Sequence, residues 1–215
     1  MLKVEQLKVH ALPPLSFAVP AGECLAIEGP SGSGKSLLLR AIADLDPADG
    51  HVFLDGAERS EMTAPQWRGK VRYAAAEPGW WGETAGDHFV DPAKTMGLMP
   101  SLELAPKLMD QTIASLSTGE RQRLALLRAL QDNPTVILFD EPTSALDEVS
   151  ARLVEGLIHA QIVASRHVLL VSHDKALLQR LAHAHLLLGD AGKGEKAGAS
   201  ERSGASASVV SLKYL

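Results

Sequence analysis

One cysteine stands among 215 residues. Cys24 has no partner within the chain, so an internal disulfide is excluded, and its place in an apolar run reads as a small buried hydrophobe. Aromatic side chains are scarce, at 4%, and three of them are Trp. Basic residues are not in excess: 21 Lys and Arg stand against 26 Asp and Glu, a formal net charge of −5. The electrostatic footprint of nucleic-acid binding is therefore missing, and no nucleic-acid partner is expected. No run of 18 apolar residues occurs, so no segment reads as a membrane-spanning helix. The first residues, Met1-Leu2-Lys3-Val4-Glu5, lack the apolar core of a secretory signal. The expected protein is soluble and intracellular. What is present suffices for a core: 46% of residues are apolar, and the length suits one large domain or one domain with a small insert.

Residues 29–36 read Gly29-Pro30-Ser31-Gly32-Ser33-Gly34-Lys35-Ser36. Glycines at this spacing let backbone N–H groups turn inward on phosphates. Lys35 supplies positive charge for the β and γ phosphates, and the Ser36 hydroxyl suits Mg²⁺. The flanks agree. Glu23–Glu28 is an apolar run that reads as a strand, and Leu37–Ala43 reads as a helix with its N-terminus toward the phosphates. A second element, Val136-Ile137-Leu138-Phe139-Asp140-Glu141, is an apolar strand ending in two carboxylates. Asp140 is placed to hold Mg²⁺ opposite Ser36. Glu141 is the candidate for polarising the water that attacks the γ-phosphate.

Along the chain, strands are expected near Leu2–Val9 and Ser16–Val19. A turn is expected at Pro47–Gly50, a hairpin from His51 through Asp55-Gly56, and a strand at Val71–Ala75. Residues 82–116 carry Pro92, Pro100 and Pro106 and weak helical periodicity, and read as a small helical insert. Thr118–Gln131 reads as a helix with Arg121, Arg123 and Arg128 on its surface. Strands at Thr135–Phe139, His167–Ser172 and His185–Gly189 then alternate with helices at Glu148–Ala164 and Lys175–Ala182. That alternation predicts a parallel sheet covered on both faces. Residues 191–215 have the Gly, Ala and Ser composition of a flexible tail, in which Val209–Leu212 either adds a short strand or hangs free.

A third element, Leu116-Ser117-Thr118-Gly119-Glu120, resembles the signature of ATP-binding cassette (ABC) ATPases, with Thr118 for a glycine and Glu120 for a glutamine. Two readings coexist there. Ser117 and Gly119 match the positions that contact a γ-phosphate in the family, and Ser117 with Glu120 also reads as an ordinary helix capping box. Ser144-Ala145-Leu146-Asp147 is similar to the family's subunit-contact loop. His173, after an expected strand, resembles its switch histidine. The resemblance covers residues 1 to about 190. It implies an α/β P-loop NTPase fold with a mainly parallel sheet, an antiparallel β subdomain and a short helical insert. It also implies a homodimer that shares two ATPs. Each site would take the loop, Asp140, Glu141 and His173 from one chain, and the signature Ser117, Thr118, Gly119 and Glu120 from the other.

Departures accompany the resemblance. Ala76 stands where the family has a glutamine that reaches Mg²⁺ and links the site to the insert; either Glu77 takes over that role or the coupling here is altered. The loop after the first strand is short, with His10 the nearest candidate for stacking on adenine. Trp80-Trp81, at the entrance of the insert, reads either as internal packing or as an exposed anchor for a partner.

The function implied is that of an ATPase subunit energising transport through a separate transmembrane permease, on the cytoplasmic face of the cell membrane. Brevity makes the chain similar to small stand-alone ATPases of bacterial export systems, including a proposed iron or metal exporter. The alternative is a soluble ABC regulator or DNA-repair ATPase. A phosphate-loop small-molecule kinase leaves Ser117–Glu120 and His173 unexplained.

Overall fold

The computed structural model describes residues 1–10, 12–189 and 211–214. The chain enters as β1 (Leu2–Lys8) and β2 (Leu15–Val19), which alternate buried and exposed residues as half-covered strands do. β3 (Cys24–Glu28) instead buries four consecutive residues, the mark of a strand covered on both faces. Burial there pushes the Cys24 thiol up to about 12, which makes it inert. After the phosphate loop comes α1 (Lys35–Ile42), then β4 (Asp49–Leu54) and β5 (Ala57–Glu58). Asp55 and Gly56 both have positive φ, 52° and 86°, the mirror-image turn that Asp-Gly favours in a two-residue hairpin. These strands form an antiparallel sheet in the order β2-β1-β4-β5.

The turn expected at Pro47–Gly50 is displaced. Asp49 and Gly50 already belong to β4. Gly50 has φ +101°, and a Cβ there would lie 2.4 Å from the Gln6 carbonyl oxygen. It is therefore a close-approach glycine beside the irregularity in β1 between Glu5 and Lys8, not a turn residue. A helix missed in the sequence, α2 (Ala64–Lys70), opens with a Thr63–Gln66 capping box. Its Trp67 is fully buried, and the indole Nε1 donates to the Ile42 carbonyl at 2.9 Å.

β6 (Val71–Ala74) leads into the insert, whose one α-helical segment is the five-residue α3 (Pro92–Met96). The rest is short 3₁₀ turns, two of which carry Pro100 and Pro106 at their starts. Proline fits a first turn but blocks continuation of the preceding one, so the segment folds as pieces rather than as helices. Regular order returns with α4 (Thr118–Ala129), β7 (Val136–Asp140), α5 (Glu148–Val163), β8 (His167–Val171), α6 (Lys175–Leu181) and β9 (Ala184–Leu187). The second sheet has the order β10-β9-β3-β8-β7-β6, parallel except for β10 (Ser211–Tyr214), which runs antiparallel to β9. The tail expectation falls mostly outside the described residues; within them, Ser211–Tyr214 is a strand.

Two cores flank this sheet. Leu25, Ile27, Leu138 and Leu169 face α1, Trp67 and the antiparallel sheet. Ala26, Ile137, Phe139 and Leu170 face α4, α5, α6 and the insert, where Met99, Leu102 and Leu108 fill the space. Arg128 does not lie free on the α4 surface as expected. Its guanidinium sits 4.5 Å from the Trp80 ring and 4.8 Å from the Trp81 ring. Trp80 packs on the second core, as the internal-packing reading has it, while Trp81 stays 75% exposed. The contrast between tryptophans is measurable by denaturant unfolding. Trp67→Ala should cost about 3–5 kcal/mol, whereas Trp81→Ala should cost about 1 kcal/mol or less.

Candidate functional site

The parallel order sets the site. β3, β8 and β7 are neighbours, so the segments leaving their carboxyl ends emerge side by side. From β3 comes the phosphate loop. Gly29 is crowded: a Cβ would lie 2.6 Å from the Leu188 carbonyl oxygen and 2.7 Å from Ser33 Oγ. Gly34, at φ +91°, is the N-cap of α1 and provides no side-chain cap, so the first N–H groups of the helix are left for an anion. Lys35 is buried, and its ammonium donates to the carbonyls of Gly29 at 2.8 Å and Pro30 at 2.9 Å.

From β7 come the carboxylates. Asp140 is 2% exposed, and the Tyr73 hydroxyl donates to its Oδ2 at 2.7 Å. The register explains this pairing. Tyr73 on β6 lies opposite Leu138, and Asp140 is two residues further along β7, hence on the same face. Burial, then the bond to Asp140, raises the Tyr73 hydroxyl above its ordinary range, so it remains a donor. The next residue, Glu141, has φ +47°, in the left-handed region that non-glycine residues rarely enter. Its N–H donates to the Val171 carbonyl at 2.9 Å, and its Oε2 accepts from the His173 N–H at 3.3 Å. His173 Nε2 lies 3.4 Å from Glu141 Oε1, near enough for charge attraction, yet that buried oxygen has no hydrogen-bond partner. Burial raises the Glu141 carboxyl above its ordinary value of 4.5, against the pull of His173.

A cavity of about 280 Å³ gathers Ser31, Gly32, Gly34, Lys35, Ser36, Asp140, Glu141 and His173. The residues read from three separate motifs thus share one space. A larger open groove, about 700 Å³, runs between α5 and α6, and none of the predicted site residues line it. The donor set fits Mg²⁺. Among the described residues no three His, Cys, Asp or Glu converge on a metal position, while one hydroxyl and one carboxylate oxygen suit an ion that takes its other ligands from phosphate and water.

Ser117 and Thr118 are exposed and stand outside that cavity. Ser117 caps α4, its N–H and hydroxyl both donating to Glu120 Oε2 at 2.8 Å, and Ser117 Oγ accepts from the Glu120 N–H at 3.2 Å. The capping-box reading is therefore realised. Burial of apolar side chains behind it leaves this helix start facing outward, where a second molecule could meet it. Ser144 to Asp147 form the turn after Glu141. Ser144 Oγ donates back to the Glu141 carbonyl at 3.1 Å, and Asp147 caps α5 through Ser150.

Comparison with known proteins decides the family. The model described as ABC transporter matches residues 12–144. The chain belongs to the ABC transporter family. It is 37% identical over 173 residues to the probable iron export ATP-binding protein FetA of Escherichia coli K12, covering 75% of this chain and 77% of that one. Protein STAR1 of rice, Oryza sativa subsp. japonica, is 35% identical over 182 residues, 79% of this chain and 53% of STAR1. A dimeric post-hydrolysis structure of the cassette MJ0796, bound to ADP and Pi, superposes with a TM-score of 0.76 at 25% identity, covering 89% and 95% of the two chains. This chain is accordingly an ATP-binding cassette with ATPase chemistry. No helix of its described residues is long and apolar enough to cross a membrane.

Two features of the cassette were not read from the sequence. Tyr73 anchors Asp140, and its only signal was its position two residues before the end of an expected strand. Leu12, buried after β1, is the side chain that meets the phosphate loop: a Cβ on Gly34 would lie 3.1 Å from it. His10, the expected adenine neighbour, is exposed at φ +50° and does not line the phosphate cavity.

The raised Glu141 carboxyl has a consequence for stability. A folded-state value above the unfolded one favours the protonated form, so the contribution is present at low pH and lost as pH rises through the folded value. Glu141→Gln, which cannot ionise, should make the nucleotide-free protein more stable than wild type at neutral pH. The gain should fade as pH falls toward 4.5. Thermal unfolding across that range measures it; equal midpoints at neutral pH would rule out a burial cost at Glu141.

Proposed function

We propose that this cassette hydrolyses ATP as a homodimer and drives transport through a separate membrane permease on the cytoplasmic face of the membrane. The carrying observation is that the phosphate loop, Asp140, Glu141 and His173 line one cavity while Ser117 lies outside it on the surface. Two copies facing each other would bring the Ser117 of each to the phosphates held by the other. ATP then bridges the halves, and loss of the γ-phosphate lets them part.

In this reading the loop N–H groups and Lys35 hold the phosphates, and the ammonium exchanges its carbonyl partners for them. Ser36 and Asp140 hold Mg²⁺, which neutralises phosphate charge when bound. Tyr73 fixes one oxygen of Asp140 and would leave the other for the ion. Glu141 takes the proton of the attacking water, for which its raised carboxyl is suited, and His173 faces the γ-phosphate. Positioning and charge stabilisation carry most of the rate. The name of the E. coli relative points to iron or another metal as the exported cargo. The exposed Trp81, beside the half-buried Arg128, offers the permease an aromatic anchor.

The test is an ATP-trapped dimer. Glu141→Gln should bind ATP, turn over at least about a hundredfold more slowly, and shift from monomer to dimer on gel filtration with ATP. Lys35→Ala should lose nucleotide binding and stay monomeric. Normal turnover in the Glu141→Gln protein would refute the assignment of that residue.

A further inference from the structure

The cassette carries alanine at residue 76, and the space beside it is not filled. A cavity of about 430 Å³ is lined by Ala76, Trp80, Arg121, Gln122, Glu141 and Ser144, among others. Glu141 alone lines both this cavity and the phosphate cavity. Its Oε1 is buried without a hydrogen bond, and so is Trp80 Nε1. Polar groups buried without partners are unusual, and a cavity of this size, with Arg121, Gln122 and Glu141 on its wall, has room for water.

A third side chain on this wall is buried. Gln122 is 3% exposed, and no hydrogen bond of its carboxamide falls among the described residues. Trp80 Nε1 offers a donor only, and the other polar groups are occupied or badly placed. Arg121 donates to the Leu116 carbonyl and to Thr118 Oγ1, and Ser144 Oγ donates to the Glu141 carbonyl. Glu77, the expected stand-in, is exposed and would set a second negative charge near Glu141. Gln122 is neutral, offers both donor and acceptor, and shares this cavity with Glu141.

We propose that Gln122 is a positioning residue for Glu141: its carboxamide, across the cavity that Ala76 leaves open, orders the water held against the carboxylate. This rests on the ATPase reading above. Gln122 is five residues, about one and a half turns, from Ser117 on α4. The helix start that meets the partner's nucleotide and the group that orders the water therefore move as one rigid piece. The coupling that the resemblance assigns to a glutamine at residue 76 is routed here through α4.

The experiment pairs Gln122→Met, which keeps length and volume, with Ala76→Gln. In the full-length protein, Gln122→Met should lower kcat roughly ten- to a hundredfold with KM for ATP within about twofold. Adding Ala76→Gln should restore most of the loss, while Ala76→Gln alone changes kcat by less than about threefold. A purely structural role would move the unfolding midpoint and would not be rescued. A second readout needs no nucleotide. The stability gained by Glu141→Gln at neutral pH should be larger in the Gln122→Met background, because the carboxylate there has lost its remote donor. Unchanged kcat in Gln122→Met, absence of rescue, or an additive Glu141→Gln effect would each overturn the proposal. A wild type that hydrolyses no ATP would overturn the ATPase reading instead, and the nucleotide-free coupling would still decide where Gln122 acts.

Discussion

Everything at the candidate site depends on the in-register parallel pairing of β3 with β8 and of β8 with β7. Neighbouring strands lie about 4.8 Å apart, so segments leaving three adjacent strand ends are held within about 10 Å of one another. The phosphate loop, His173 and Asp140–Glu141 leave those three ends. None of these pieces has a ligand-binding shape alone. A one-residue slip of β7 would turn Asp140 to the opposite face and aim it at α4 rather than at α1. The strands resist such slips because both faces are buried: Leu138 and Phe139 point into different cores, and both are fully covered. Hydrophobic packing on two sides thus fixes the aim of two carboxylates at the edge.

Glu141 shows what this placement costs. It combines a left-handed backbone, a buried carboxyl raised above its ordinary range and an oxygen without a partner. Each feature is unfavourable alone, and they persist because the fold determines the position from outside. The backbone N–H is tied to Val171 on β8, and the side chain is tied to the His173 N–H just beyond the same strand. Asp140, one residue earlier, is treated differently. It is more deeply buried, yet a tyrosine hydroxyl meets it directly. Each of the two adjacent carboxylates has one oxygen bonded within the protein, but of the two only Glu141 keeps a buried oxygen without a partner among the described residues.

Legibility in the sequence followed the range of the determinant. Gly29–Ser36 and Val136–Glu141 were readable because strand, turn and helix signals lie within a few residues of the chemistry. The Asp55-Gly56 hairpin was readable for the same reason. Tyr73 was not, because its role depends on register with a strand more than sixty residues away. Leu12 was hidden because its meaning comes from contact with Gly34, not from its neighbours in the chain. Gly50 looked like a turn residue, and it takes the approach of the Gln6 backbone to show why a side chain is excluded there. The insert misled in another way. Its prolines signalled breaks correctly, but weak helical periodicity still suggested helices, whereas Met99, Leu102 and Leu108 reach the core from 3₁₀ turns. The arginines of α4 were placed outside by charge alone, although Arg128 finds two indole faces to cover it.

The two faces of the parallel sheet carry different duties, and this gives Glu141 its meaning. α1 and the phosphate loop stand over one core; α4 and the insert stand over the other. The two sides meet beyond the strand ends, where the two cavities adjoin. Glu141 is the one residue that lines both. A change on the α4 side that alters the water or the polar groups beside this carboxylate acts on the reacting centre without moving the loop that holds the phosphates. On the proposed reading, nucleotide binding and nucleotide cleavage are separable in space: binding belongs to the first face, and cleavage is influenced from the second.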